Sequence, residues 1–160
     1  MLFPTQHNIT RDNQIAILPI LAKQYDISFD FYPTSFVAGY HSVLHMTISG
    51  DTDVYGCRVP GIWLSPNTIT VDNAVNGHWY YRVVSSSFQR NEWHNMRLTQ
   101  TLEDGQYVYR VYLNGIKIHQ IVNTQAEEFN NVKVFVSNPW VAAQPGYIRD
   151  LHIHHNSKKL

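Results

Sequence analysis

Apolar and polar residues alternate along most of this chain, which is the pattern of an extended strand with one buried face. The segment Tyr25–Phe31 alternates at every position, and Val43–Ile48 and Val132–Val136 continue the pattern. No window of about eleven or more residues keeps the period of about 3.6 that an amphipathic helix needs. The spacing therefore predicts an all-β chain of roughly ten or eleven strands.

Short turns separate these strands. Glu103–Gly105 joins the long runs Trp93–Leu102 and Gln106–Leu113, and Asn114–Gly115 leads into Ile116–Val122. Glycine accepts the positive φ that a tight hairpin turn requires, so both links predict hairpins between antiparallel strands. Many short strands joined in this way are typical of a β-sandwich or a β-barrel.

The length and composition favour one globular domain. The chain has 160 residues, of which 13% are aromatic and 15% are charged, so it can bury a sizeable core and does not have the composition of a disordered protein. We expect a single domain over residues 1–160, made of an N-terminal arm (1–13), a β-sandwich (14–155) and a polar tail (156–160). The one cysteine, Cys57, excludes an internal disulfide, and we expect a buried, unreactive thiol there.

Charge and hydropathy argue against two classes of partner. Twelve Lys and Arg residues balance twelve Asp and Glu residues, whereas binding to a phosphate backbone needs an excess of clustered positive charge. The longest apolar runs fall short of the roughly 18 residues that a transmembrane helix needs. We therefore expect no nucleic-acid binding and no membrane insertion.

Parts of the chain resemble a known superfamily. A tryptophan opens the strand Trp93–Leu102, a hairpin follows, and the next strand ends in an aromatic-rich run that closes at Asn114–Gly115. Together with the final segment Gly146–Ile153, this arrangement resembles the concanavalin A-like lectin/glucanase superfamily, especially its laminin G-like and pentraxin-like domains. The resemblance covers roughly residues 14–155 and implies an antiparallel two-sheet β-sandwich with jelly-roll topology, whose last strand returns beside the first. Trp93 would then lie inside or near the layer between the sheets.

The acidic residues do not form the pattern of a glycosidase. Hydrolases of this superfamily carry carboxylates two residues apart on one strand, in a pattern like Glu-x-Asp-x-x-Glu, and the retaining reaction needs two carboxyl groups about 5 Å apart. Asp26 and Asp30 share a strand face here, but their spacing along the strand corresponds to about 13 Å. We therefore expect a protein that is not an enzyme.

Aromatic and basic residues concentrate on a few segments. Neighbouring strand residues point to opposite faces, so strict alternation would place Trp79 and Tyr81 on one face and their neighbours on the other. A partly exposed ring beside His, Arg or Asn can cover the apolar face of a pyranose while the polar groups bind its hydroxyls. Core packing is the alternative for each ring. The candidate ligand-binding residues are Arg58, Trp63, His78, Trp79, Tyr81 and Trp140.

A short acidic loop is a candidate metal site. Asp51 and Asp53 occupy alternate positions between two strands, and hard oxygen ligands of this kind suit Ca²⁺. Two carboxylates do not complete its roughly six to eight ligands, and a solvated turn is the alternative. No cofactor other than Ca²⁺ is indicated. His152 and His154 share a strand face near the C-terminus, where we expect exposed histidines rather than a structural zinc site.

These features favour recognition rather than catalysis. The resemblance implies an extracellular module that binds a glycan, and the sequon Asn8–Thr10 agrees with a secreted protein, although no signal peptide is visible. The alternative is a protein–protein interaction or self-assembly module of the laminin G-like type, in which the loop of Trp140 would form an interface. Its partner would then be an extracellular protein or a second copy of the chain in a homo-oligomer.

Overall fold

The computed structural model describes residues 1–156, which form thirteen β-strands and, within that range, no helix. No helix that could cross a bilayer occurs in this part of the chain. The last four residues of the predicted polar tail lie outside the described range. The strands are Leu2–Phe3 (β1), His7–Asn8 (β2), Gln14–Leu21 (β3), Gln24–Pro33 (β4), His41–Thr47 (β5), Gly61–Leu64 (β6), Ile69–Val75 (β7), His78–Val84 (β8), His94–Glu103 (β9), Gln106–Leu113 (β10), Ile116–Val122 (β11), Phe129–Phe135 (β12) and Gly146–Asn156 (β13).

The strands form two antiparallel sheets that pack face to face. The seven-stranded sheet has the order β1-β13-β4-β9-β10-β11, with β2 also paired to β13. The six-stranded sheet has the order β3-β12-β5-β6-β7-β8. The chain changes sheet after β2, β3, β4, β8, β11 and β12, so neighbouring strands of one sheet are often far apart in sequence. This arrangement confirms the predicted all-β sandwich with jelly-roll topology.

The two chain ends meet in the seven-stranded sheet. Strand β13 pairs with β4 on one side and with β1 and β2 on the other, and Leu2 lies opposite His152. The last strand therefore lies beside the first, as the resemblance implied. The segment predicted as an N-terminal arm contains these two short strands, and the six-stranded sheet begins with β3 at Gln14.

The core follows from the alternation that the sequence shows. In β4, every second residue from Tyr25 to Phe31 is buried between the sheets, and the residues between them face outward, half-buried. Strand β13 departs from this rule, because Ile148 and Leu151 are both buried although they lie three positions apart. A bulge between Arg149 and His152 absorbs the extra residue and restores the alternation.

The six-stranded sheet differs from its partner because loops cover its outer face. Strands β6 and β7 are buried at every position, on both faces of the sheet. The covering segments precede β6 and follow β12, and side chains from both contact the outer face beside Trp63 and Asp72. The loops and the sheet thus enclose a polar and aromatic region outside the apolar core.

Gly146 is a position where the fold depends on the absence of a side chain. We expect Gly146→Ala to destabilise the protein by about 2 kcal/mol or more, because the added carbon would overlap the backbone carbonyl oxygen of Tyr32 at a φ of +146°. The matched control is Gly105→Ala, which has a φ of +79° but no atom within 4 Å of the added carbon. This variant should lose about 1 kcal/mol in the free energy of unfolding, because only the unfavourable backbone conformation of the alanine contributes. Urea unfolding measures both values, and equal losses would contradict the steric argument.

Candidate functional site

A cavity of about 190 Å³ lies on the outer face of the six-stranded sheet, and we call it the outer cavity. Its floor comes from β6, β7 and β8, and its walls come from the segments that precede β5, precede β6 and follow β12. Charged and aromatic side chains dominate its lining. The lining residues are Tyr40, Asp51, Arg58, Trp63, Asp72, Arg82, Asn138, Trp140 and Val141.

Strand pairing sets the positions of the floor residues. Asp72 in β7 lies opposite Gly61 on one side and opposite Arg82 on the other, so the acid and the arginine are cross-strand neighbours. Gly61 leaves room for an indole, because a carbon added there would overlap the ring of Trp63 two residues further on. The glycine therefore lets the Trp63 ring lie over its backbone, in the position opposite Asp72.

A buried carboxylate holds two arginines in this cavity. The side chain of Asp72 is 0% exposed, and its Oδ2 accepts hydrogen bonds from Arg58 Nη1 at 2.6 Å and from Arg82 Nη2 at 2.9 Å. Its Oδ1 accepts from Arg82 Nε at 2.8 Å. A buried charge is tolerated only when it is paired and hydrogen-bonded in this way. The three side chains together form a unit that we call the charge cluster.

The aromatic rings surround the charge cluster. The guanidinium carbon of Arg58 lies 4.9 Å from the ring centroid of Trp63 and 4.9 Å from that of Trp79, so the cation is in contact with two indoles. Arg82 lies 5.5 Å from the ring centroid of Tyr40. These contacts and the ion pairs with Asp72 fix both guanidinium groups in position.

Free hydrogen-bond donors remain on both arginines. Arg82 uses Nε and Nη2 on Asp72, and its Nη1 has no hydrogen-bond partner among residues 1–156. In the same range, the Nε of Arg58 also has none, but this atom is buried and does not reach the cavity, so the donor that Arg58 offers is its Nη2. Asp51 lies 3.5 Å from Arg58 Nη2 and its side chain is about half exposed. The cavity therefore presents N–H donors and one open carboxylate to whatever enters it.

The Trp140 wall is built by side-chain caps. Asn138 Oδ1 accepts hydrogen bonds from the backbone N–H groups of Trp140 and Val141, both at 3.0 Å. The Trp140 ring packs against His45 at a centroid distance of 5.3 Å, and a carbon added at Gly50 would lie only 3.1 Å from its Cζ2, so this glycine leaves room for the indole. The tryptophan remains 37% exposed, so it combines a fixed position with an accessible surface.

His45 supports this wall as a neutral ring. Its Nε2 lies 2.8 Å from the carbonyl oxygen of Cys57, which can only accept, so Nε2 carries the proton. Its Nδ1 then accepts from Asn138 Nδ2 at 2.9 Å. Burial lowers the pKa of His45 to about 4, since the charged form would lose its hydration. Cys57 is itself buried, as predicted, and burial raises the pKa of its thiol to about 11.

The structure brings together most of the candidate ligand-binding residues. Arg58, Trp63 and Trp140 line the cavity, and Trp79 contacts the far side of the Arg58 guanidinium. His78 does not line it and is exposed at the start of β8.

Tyr81 lies away from the cavity, because β8 has a bulge. Asn73 pairs with Tyr81, but Val75 pairs with His78, so β8 contains one extra residue between these pairs. The irregularity turns Trp79 to the outer face, while Tyr81 packs against the core and its hydroxyl lies 2.8 Å from His119 Nε2. Strict alternation, which would place Trp79 and Tyr81 on one face, fails at this point.

The candidate residues chosen from the sequence did not include Asp72, Arg82 or Asn138. Asp72 is the one charged residue of β7, a strand that is buried at every position. A buried acid of this kind must be paired, so it indicates that a basic side chain lies nearby. Arg82 lies opposite Asp72 across the hairpin of β7 and β8, whereas Arg58 reaches the same carboxylate from the loop before β6, whose path the sequence does not show.

The acidic loop does not form a complete calcium site. Asp51 faces Arg58, and Asp53 is exposed and does not line the cavity. Among residues 1–156, no group of three or more His, Cys, Asp or Glu side chains is arranged to hold a metal ion. Two carboxylates do not fit the roughly six to eight oxygen ligands of Ca²⁺, and Ca²⁺ binding by Asp51 and Asp53 stays a prediction.

Comparison with known proteins places the fold. No family model matches the chain, and no curated protein matches it. A heptameric SAP-like pentraxin from Limulus polyphemus matches with a TM-score of 0.59 and 12% identity, over 95% of this chain and 74% of that one. The CBM40 of a Ruminococcus gnavus IT-sialidase, bound to α2,3-sialyllactose, matches with a TM-score of 0.58 and 16% identity, over 95% and 92%.

A third match is the binding domain of botulinum neurotoxin serotype G, with a TM-score of 0.64 and 10% identity, over 98% of this chain and 42% of that one. Identities this low establish the fold and nothing more. The chain therefore shares the two-sheet jelly-roll fold of these structures, which is the fold that the resemblance implied.

Asp72→Asn tests the charge cluster. Removing the carboxylate charge leaves two arginines without their counter-ion, and we expect a loss of about 3–5 kcal/mol in the free energy of unfolding. The matched control is Asp26→Asn, since Asp26 and Arg97 form an ion pair whose side chains are 37% and 49% exposed. That variant should lose less than about 1 kcal/mol. Urea unfolding at neutral pH compares them, and similar losses in both would contradict a structural role for Asp72.

His45 predicts a pH dependence of stability. Its pKa is 6.5 in the unfolded chain and about 4 in the folded protein, so between these values the unfolded state binds more protons and stability falls as the pH falls. From pH 7 to pH 5 the loss due to His45 should be about 2 kcal/mol. Urea unfolding at the two pH values, for the wild type and His45→Gln, measures it. The same loss in both proteins would assign the effect to other groups.

Proposed function

We propose that this protein is a carbohydrate-binding module that holds a sugar reversibly in the outer cavity, without catalysis. The observation that carries the proposal is the arrangement of free guanidinium N–H groups beside the exposed ring of Trp140. A pyranose needs such a pair of surfaces, because it has one apolar face and a rim of hydroxyl groups.

The groups available to a ligand are well defined. Asp72 and Asn138 are occupied in holding the protein together, so they do not contact the sugar. Arg58 and Arg82 donate to hydroxyl oxygens, and the half-exposed carboxylate of Asp51 accepts from a hydroxyl. Trp140 covers the apolar face of the ring.

The size of the cavity limits the ligand. A volume of about 190 Å³ is smaller than the roughly 300–1,000 Å³ of a site that encloses a drug-sized molecule. It suits one terminal sugar residue, with the rest of the glycan in solvent. Affinity per site is then weak, and display of several copies would strengthen it.

Two further observations support the proposal. The CBM40 structure of the same fold is described as bound to sialyllactose, which supports carbohydrate as the class of ligand. Two carboxylates line the cavity, and Asp72 is masked by two arginines, so it is not available for acid–base catalysis. An extracellular location goes with this function and is part of the proposal.

Trp140→Ala tests the site. We expect the variant to bind at least about tenfold more weakly to the best ligand found on a broad glycan array, because the ring supplies the apolar contact. The matched control is Tyr112→Ala, which removes a half-buried ring that contacts Arg97 on the other sheet. Calorimetric titration gives both affinities, and circular dichroism checks the fold. Absence of binding on the array, or equal binding by Trp140→Ala, would refute the proposal.

A second candidate function is self-assembly along an edge of the six-stranded sheet. Strand β8 is the edge strand, and its outward residues Tyr80 and Val84 are 48% and 56% exposed. An exposed apolar edge of this kind can pair with a second copy of the chain. Light scattering separates the two functions, since a stable oligomer with no response to glycans would favour this one.

A further inference from the structure

A second cavity, of about 350 Å³, lies on the opposite side of the molecule, and we call it the aromatic cleft. It is on the outer face of the seven-stranded sheet, where β4 and β13 pair and place Tyr32 opposite Tyr147. Trp93 precedes β9 and closes a third side, and the segment before β2 brings in Gln6. The lining residues are Gln6, Tyr32, Thr34, Asn91, Trp93 and Tyr147.

Three rings form the walls of the cleft. The ring centroids of Tyr32 and Trp93 are 5.3 Å apart at an interplanar angle of 62°, and those of Tyr32 and Tyr147 are 6.0 Å apart at 54°. All three rings are half-buried, so each has a face or an edge that a ligand can contact. The sequence predicted that Trp93 would lie in or near the layer between the sheets, whereas the structure places it in this cleft.

A stacked arginine holds the Trp93 ring in place. The guanidinium carbon of Arg149 lies 3.9 Å from its ring centroid, so the cation stacks on the indole. Arg149 Nε is 3.2 Å from Asp30 Oδ2, and Asn95 Nδ2 donates to Asp30 Oδ1 at 2.9 Å. This chain of contacts holds the indole in one orientation and leaves little conformational entropy to lose on binding.

The polar groups of the cleft are neutral and free. The backbone N–H groups of Thr34 and Asn91 donate to Pro145 and Pro33 at 3.1 and 2.8 Å. The side chains of Gln6, Thr34 and Asn91, by contrast, have no hydrogen-bond partner within residues 1–156. Amides and hydroxyls both donate and accept, as sugar hydroxyls do. None of the six lining residues carries a charge, unlike the lining of the outer cavity.

We propose that the aromatic cleft is a second saccharide site, which takes a neutral sugar residue and faces away from the outer cavity. Rings for the apolar face of a pyranose, unoccupied amides for its hydroxyls and a volume of about 350 Å³ together select this chemistry over an anion or an apolar ligand. The inference shares the class of ligand with the proposed function, but it depends on none of the residues of the outer cavity.

The consequence is a monomer with two sites on opposite faces. Each sheet presents its own site outward, so one molecule can bind two separate glycan chains at once. Bridging of glycan-coated surfaces then requires no oligomer.

The test follows the indole N–H signals of the four tryptophans in two-dimensional ¹H–¹⁵N spectra of the full chain. The probes are the methyl glycosides of glucose, galactose, mannose, fucose and N-acetylglucosamine, each titrated separately, and Trp93→Phe assigns the signal of interest. We expect at least one probe to shift the Trp93 signal, equally in the wild type and in Trp140→Ala. No shift at Trp93 with any probe, or a shift lost in Trp140→Ala, would overturn the inference.

A matched pair of variants tests the polar contact. Asn91→Gly removes one free amide at a φ of 59°, which glycine accepts without strain, and Asn131→Gly makes the same change at a φ of 53° on the other sheet. Affinity measured at the Trp93 signal should fall about fivefold to tenfold in the first variant and stay unchanged in the second. Unchanged affinity in Asn91→Gly would contradict the site. If the outer cavity does not bind sugar, the signals of Trp63 and Trp140 will stay unshifted, independently of the result at Trp93.

Discussion

The carboxylate of Asp72 is the element on which the outer face of the six-stranded sheet depends. A charge buried inside a strand must be paired, and here two arginines from different parts of the chain pair with it. Arg58 belongs to the loop before β6 and Arg82 belongs to the edge strand β8, so one carboxylate ties a loop and a strand edge to the centre of the sheet. The indoles of Trp63 and Trp79 then pack on the Arg58 cation that Asp72 has positioned.

The sequence predicted the parts of this molecule in which side chains obey a regular period. Strand β4 and the hairpin at Glu103–Gly105 follow directly from alternation and turn chemistry. The residues that line the two cavities could not be predicted from a regular period, because their positions depend on irregularities in the strands and on the order of the strands in the sheets. The bulge in β8 sends Trp79 outward and Tyr81 inward, and nothing in the local sequence marks it. Trp93 lies between a turn and a strand, where periodicity does not determine the direction of a side chain.

The opposite charges of this neutral chain are paired locally on both outer faces. Arginines on both outer faces are paired with carboxylates, Arg97 with Asp26 and Arg149 with Asp30 on the seven-stranded sheet, and Arg82 with Asp72 on the six-stranded sheet. Each pair fixes a planar donor group and cancels most of its field, so long-range steering of charged ligands is weak. Arg149 then serves as a support for Trp93, and Arg82 as a hydrogen-bond donor.

The two proposed saccharide sites lie on opposite faces of the sandwich, and this placement limits how their weak affinities could combine. The two sheets of a sandwich pack about 10 Å apart, and the outer cavity and the aromatic cleft open away from each other. One short glycan cannot reach both, because it would have to pass around the edge of the sheets. If both proposed sites bind glycans, the second binding event gains effective concentration only when another glycan lies on a facing surface. Two weak sites in this geometry would then favour cross-linking of separate glycan-bearing surfaces over tight capture of one chain.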